Sequence, residues 1–364
     1  MTLVPEHIES LQPYQAGKPI AELQREMGLK RIIKLASNEN PLGVSPKAMV
    51  AMQKHLHEVN RYPSPDSYYL RNALANLFKV KNNNVITGHG SESIISTIMR
   101  TFLHDEDVAL TSIGTFVTFK IQVQSRGIKL IEVPLKNYRF DLPAIAERID
   151  DKTKIIYLAN PNNPTGNIFT DEEFRQFMQQ VPQRTLVLLD EAYFEFGIDN
   201  PDYPDSMKYR FDNVISLRTF SKAYGLAGVR IGYGFAHENL INNLMKIKLP
   251  FEPSGPAQAA ALAALEDMEF LKESVALANQ GRNFFYDLFR NLNIPYLESQ
   301  ANFVTIILES EKQVNQIYEL LLKRGIIVRP LKSFGLSNCL RISTGLKEEN
   351  IIFAENFEHI LKSM

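Results

Sequence analysis

NVISLRTFSKAYGLAGVRIGYGF, residues 213–235, is the stretch on which the fold turns. It opens with the apolar run Asn213–Leu217, the composition of a buried strand, and closes with a second such run around Ile231 and Phe235. Ser221 and Lys222 come shortly after the first run, and Arg230 lies eight positions after Lys222. A lysine at a strand end can reach an aldehyde, while a neighbouring hydroxyl and guanidinium can hold a phosphate, the latter by paired hydrogen bonds. Gly225, Gly228, Gly232 and Gly234 allow tight turns and close backbone approach. A solvated lysine in a glycine-rich loop fits the same letters, so the surrounding sequence has to decide.

Upstream, short apolar runs alternate with helical stretches from about residue 85. VIT (85–87) precedes a helix expected to begin near Ser91, with Ile94, Ile95, Ile98, Met99 and Phe102 at helical spacing. VALTSI (108–113), IKLIEVPL (128–135), KIIYLAN (154–160) and TLVLLD (185–190) follow as strands. They lack polar alternation, as expected of strands buried on both faces, and strands separated by helices predict a mainly parallel sheet sandwiched by helices. Ligand-binding loops of such a sheet gather beyond the carboxyl ends of its strands. After Gly255 the pattern changes to an alanine-rich helical segment. NFVTIIL (302–308), a helix over 312–323, IIVRPL (326–331), CLRIST (339–344) and a terminal helix then describe a smaller α+β unit. The expected organisation is an N-terminal arm over 1–30, a large α/β domain over 31–255 and a small C-terminal domain over 256–364.

Composition narrows the class. Forty basic against 41 acidic residues leave a formal charge of −1, which speaks against a nucleic-acid surface. No run approaches the roughly 20 apolar residues that span a bilayer, and the N-terminus has acids and prolines where a signal peptide needs a basic start. The single cysteine, Cys339, cannot form an internal disulfide, which suits a reducing compartment, and a cytoplasmic protein is expected. No metal site is expected.

Three further motifs sit at expected strand ends. In TLVLLDEAYFEF (185–196), Asp190 ends an apolar strand, where a lone carboxylate is costly unless paired. A protonated pyridine nitrogen suits it, because the carboxylate keeps that ring charged and able to accept electrons. Tyr193 can donate to a ring oxygen. The plainer reading makes Asp190 a cap for the next helix. In LANPNNPTGN (158–167), the Asn163 amide can reach the same oxygen from a rigid Pro/Gly loop. In VITGHGSESIIS (85–96), Gly90, Ser91 and Glu92 mark a helix start whose free N–H groups favour phosphate, or else an ordinary capping box.

The ordered set SNENPLG (37–43), NRYPSPDSYYLR (60–71), GHGSES, NPNNPTG, DEAYFEF and RTFSKAYGLAGVRIGY closely resembles the fold-type I, pyridoxal-phosphate-dependent class I/II aminotransferases. Among these it is most similar to the histidinol-phosphate aminotransferases. The resemblance implies a homodimer with active sites at the interface, taking histidinol phosphate and 2-oxoglutarate. It makes Lys222 the Schiff-base lysine and proton carrier, Asp190 the pyridinium partner, and Asn163 and Tyr193 the groups at the ring oxygen. Ser221, Arg230 and Gly90-Ser91-Glu92 become the phosphate cup, and Phe116 the ring stacked on the cofactor. Tyr62 would reach the partner subunit's cofactor phosphate and border substrate, as would Asn163. Tyr14 resembles a substrate-closing residue of the arm, and Arg329 and Arg341 the pair that binds the substrate's anionic end. Two other readings stand beside this one. Aromatic amino-acid aminotransferases share the motifs, and a pyridoxal-phosphate-sensing regulator would need an added DNA-binding domain and a basic face.

Overall fold

The computed structural model describes residues 3–13, 17–29, 31–209 and 211–364. A two-residue strand, β1 (Ile33–Lys34), leads from the arm into the body. The apolar runs then form β2 (Val85–Gly88), β3 (Val108–Ser112), β4 (Lys129–Val133), β5 (Thr153–Ala159), β6 (Leu186–Asp190), β7 (Val214–Thr219) and β8 (Gly232–Phe235). They make one seven-stranded sheet in the order β2-β8-β7-β6-β5-β3-β4. The pairs β3/β4, β3/β5, β5/β6 and β6/β7 are parallel, as expected from the intervening helices. Strand β8 runs antiparallel to both β7 and β2. The loop between Phe220 and Ile231 holds only a short 3-10 turn and no crossover helix, so the chain turns straight back.

Strands β5 to β7 are buried almost end to end, which explains their missing polar alternation. Ile155, Leu158, Val187, Leu189 and Ile215 pack with Ile94, Ile98 and Phe119 from the covering helices in one core. Each such fully buried side chain contributes about 1.5–3 kcal/mol of transfer free energy, which lets the sheet tolerate costly polar groups at its edge.

The remaining strands are β9 (Tyr296–Leu297), β10 (Phe303–Ile307), β11 (Ile326–Ile327), β12 (Arg329–Pro330) and β13 (Cys339–Ser343). A four-stranded antiparallel sheet has the order β12-β13-β10-β9, while β11 pairs in parallel with β1. The run IIVRPL therefore divides between two sheets. Helices Met268–Asn291 and Lys347–Ser363 cover the small sheet through Phe285, Phe289, Phe353 and Phe357. Helix Gly255–Leu265 instead lays Ala257, Ala260 and Ala261 against Ala48 and Leu70, beside the β2/β8 edge. Leu23 of helix Ile20–Met27 is buried with Ala36, Leu322 and Ile327, so that part of the arm packs on the smaller unit. Among the described residues, no helix is long and apolar enough to cross a membrane.

Candidate active site

Beyond the carboxyl ends of β5, β6 and β7 lies one cavity. Its wall includes Gly90, Ser91, Glu92, Phe116, Asn163, Asp190, Tyr193, Ser221, Lys222 and Arg230, all singled out in the sequence. Tyr157, Ala159 and Thr219 join them without having been singled out. The parallel register explains much of this gathering. Ala159 pairs with Asp190, and Asp190 with Leu217, so the loops after adjacent strands open side by side.

Lys222 lies three residues past the end of β7, with Nζ donating to the Ser37 carbonyl at 3.4 Å. Burial, followed by the positive charges of Arg341 and Arg230, lowers its pKa to about 8, against the opposing pull of Glu39 and Asp190. A largely desolvated amine among cations has lost much of its reason to stay protonated.

At one end of the cavity, groups suited to an anion converge. Arg230 Nη1 donates to Ser221 Oγ at 3.4 Å, and Thr219 Oγ1 donates to the same oxygen at 3.0 Å. Helix Gly90–Phe102 points its N-terminus here, and His89, its N-cap, makes no side-chain cap bond. Ser91 thus lies inside the helix rather than capping it. Gly90 has φ +77°, and a Cβ there would lie 2.7 Å from Arg230 Nη2. A side chain at position 90 would close the gap between helix start and guanidinium, which is where an anion fits. Arg230 itself holds φ +60°, an uncommon conformation for a bulky residue and one that clusters at functional sites.

At the other end is a carboxylate. Asp190 Oδ2 accepts from the Tyr157 hydroxyl at 2.7 Å, and Oδ1 accepts from the Ala192 N–H at 3.1 Å. Burial raises its pKa, opposed by Tyr157, Ala192 and Lys222. The next helix, Phe194–Gly197, has Tyr193 at its N-cap, so Asp190 is not its cap. Tyr193 accepts from Asn38 Nδ2 at 2.8 Å, and burial raises its pKa, so the phenol keeps its own hydrogen to donate. Asn163 Oδ1 accepts from Arg341 Nη1, and Arg341 Nη2 also donates to the Ala36 carbonyl at 2.6 Å.

The other singled-out residues lie elsewhere. Arg329 is the cross-strand partner of Arg341, and both guanidiniums approach the Phe334 ring, at 5.8 and 6.0 Å. Arg329 nevertheless lines a separate cleft with Leu11, Gln12, Lys120 and Tyr318. Tyr62 is 81% exposed, its ring stacked on Phe251 at 4.4 Å. Tyr14 lies outside the described residues. Among the described residues, no cluster of His, Cys, Asp and Glu could hold a metal ion.

Over nearly its whole length the chain is similar to proteins of one family. The family "Aminotransferase class I and II" matches residues 30–354. Histidinol-phosphate aminotransferase 2 of Hydrogenovibrio crunogenus is 45% identical over 98% of this chain and 96% of its own. Histidinol-phosphate aminotransferase of Methylobacillus flagellatus is 42% identical over 99% and 97%. The crystal structure of histidinol-phosphate aminotransferase from Sinorhizobium meliloti in complex with pyridoxal-5'-phosphate superposes with a TM-score of 0.91 at 30% identity, covering 100% of this chain and 98% of that one. A Thermus thermophilus aspartate aminotransferase double mutant, 21% identical over 99% and 100%, shares the fold with a TM-score of 0.86. On both the family match and the near-complete coverage of its relatives, the chain belongs to the class I and II aminotransferases.

Proposed function

We propose that the chain is a histidinol-phosphate aminotransferase that holds pyridoxal phosphate on Lys222 and passes the amino group of histidinol phosphate to 2-oxoglutarate. One observation carries the reading. A single cavity sets the half-buried Lys222 amine between an anion cradle of Arg230, Ser221 and the Gly90 helix start and the buried carboxylate of Asp190. These residues fit the cofactor's two ends, a phosphate and a pyridine nitrogen. Support for the substrate comes from relatives of that name with up to 45% identity over nearly the whole chain.

When bound, the cofactor supplies an aldehyde that captures an amine and a ring that accepts electrons. The chain's own residues do the rest. Asp190 holds a proton on the pyridine nitrogen, while Tyr193 and the Asn163 amide bind the ring oxygen. Phe116 offers its ring as a stacking face. The ε-amine of Lys222 removes the substrate's Cα proton as a general base, and its lowered pKa keeps part of it neutral for that task. Arg341, with Arg329 beside it in the ladder, attracts the substrate's anionic end.

A homodimer belongs to the same reading, with the exposed Tyr62 reaching the partner subunit's site. Tyr14 would close over substrate. A cytoplasmic setting suits Cys339, the sole cysteine, which is buried with its thiol pKa pushed up to about 11. The test compares kcat/KM for histidinol phosphate and phenylalanine with 2-oxoglutarate as acceptor. Histidinol phosphate should win by at least tenfold, and a preference for phenylalanine would overturn the substrate. A borohydride-reducible cofactor adduct that survives Lys222→Ala would overturn the role of Lys222.

A further inference from the structure

We infer that Tyr157 is the positioning residue of Asp190, setting the carboxylate that faces the cofactor's ring nitrogen. The inference rests on the proposed role of Asp190 and adds the device that makes that role work. Tyr157 lies on β5, one strand over from Asp190 on β6, and its side chain is fully buried. Its hydroxyl donates to Asp190 Oδ2 at 2.7 Å, the short distance of a hydrogen bond to a charged acceptor. The Ala192 N–H takes the other oxygen at 3.1 Å. Two donors on two oxygens fix the carboxylate plane, which a single contact would leave free to rotate. Both oxygens keep acceptor capacity for a third donor, and Asp190 and Tyr157 both line the cavity.

Tyr157 is itself held on two sides. Phe119 stacks on its ring at 4.4 Å with 17° between the planes, and Thr111 Oγ1 donates to its carbonyl at 2.8 Å. Burial, followed by the charge of Asp190, pushes the phenol pKa well above its ordinary value, so the hydroxyl remains a donor throughout the working pH range. The bond opposes the rise that burial imposes on Asp190 and so helps keep it ionised. A phenylalanine at position 157 keeps the stacked ring and removes the donor alone.

The test is a double-mutant cycle read as the dissociation constant of pyridoxal phosphate from the purified protein, with kcat and KM for the amine as second readouts. Loss of a hydrogen bond to a charged group should weaken cofactor binding about tenfold in Tyr157→Phe. It should also lower kcat with little change in KM. In the Asp190→Asn background the same substitution should change cofactor affinity less than about twofold, because the charged acceptor has gone. Any cost to folding is common to both backgrounds and cancels. An equal loss in both backgrounds would make Tyr157 a packing residue, and no loss in either background would remove it from the site; each result overturns the inference. If Asp190→Asn alone left cofactor affinity and kcat intact, the role of Asp190 would fall first, and the inference with it.

Discussion

The titration of Lys222 offers the sharpest test of the site, because its value follows from neighbours that can be changed singly. Burial, Arg341 and Arg230 bring its pKa from 10.5 to about 8. At pH 7.5 about a quarter of such amines are neutral, against about one in a thousand at the ordinary value, so the site raises the supply of free base by roughly two orders of magnitude. Arg341 is the largest cause after burial, and it is changeable without touching the lysine. Arg341→Gln should move the midpoint upward, while Arg341→Lys, which keeps the charge, should move it little. The measurement is competitive labelling of the cofactor-free protein with an amine-selective anhydride from pH 6 to 11, read at the Lys222 peptide by mass spectrometry. Wild-type labelling should rise with a midpoint near pH 8. A wild-type midpoint near the ordinary lysine value would refute the argument from burial. A midpoint unmoved or lowered by Arg341→Gln would refute the argument from charge.

Two further outcomes follow from other parts of the molecule. Tyr62 stacks on Phe251, and Lys248 and Gln258 donate to the Pro65 and Ser64 carbonyls, at 3.4 and 3.2 Å, so this loop is braced from behind. Tyr62→Phe should weaken cofactor retention in a dimer, and Phe251→Ala should do so only while Tyr62 is present; a fully active monomer would contradict the shared site. Glu195 is buried with neither carboxylate oxygen bonded, and burial raises its pKa to about 7. The folded chain holds this proton more tightly than the unfolded one, so stability is full below pH 4.5 and falls as pH rises toward 7. The loss at pH 8 is about 3 kcal/mol. Glu195→Gln should recover most of that in urea unfolding at pH 8 and little at pH 4; equal shifts at both would refute the assignment.

Much of this was legible in the letters, for reasons that can be stated residue by residue. Asp190 ends an unbroken apolar run, and a charge at the end of a buried strand needs a partner, while Lys222 lies a few residues beyond another buried run. The alternation of runs and helices pointed to the parallel pairing found from β3 to β7, though not to the strand order. Tyr157 carried no such mark, since a tyrosine in KIIYLAN reads as one more apolar residue of a buried strand. Its signal was positional: it is two residues from Ala159, on the same strand face, and the register sets Ala159 beside Asp190. Strands β1 and β9 are two residues long and leave no period to detect. The reversal at β8 depended on loop length, which the apolar runs alone do not weigh.

The polar groups behind the cavity show why the site needs so large a core. Arg218 is fully buried on β7, its Nε donating to Glu191 Oε2 at 2.8 Å and its guanidinium carbon 3.3 Å from the Phe194 ring centroid. Glu191 also accepts from the Ser206 hydroxyl at 2.7 Å, which binds the segment after β6 to the start of the turn at Ser206–Lys208. A buried pair of this kind adds little net stability, because desolvation offsets the attraction, yet breaking it by removing one partner is severe. Its value is geometric. Arg218 lies on β7 and Glu191 directly follows β6, each within a few residues of a group that lines the cavity, Lys222 after β7 and Asp190 at the end of β6. A slip of β7 against β6 that moved Lys222 relative to Asp190 would also strain this ion pair. The cost of the left-handed Arg230, the depressed Lys222 and the buried Asp190 is borne by the apolar sheet beneath them, and the Arg218–Glu191 pair holds those side chains in register.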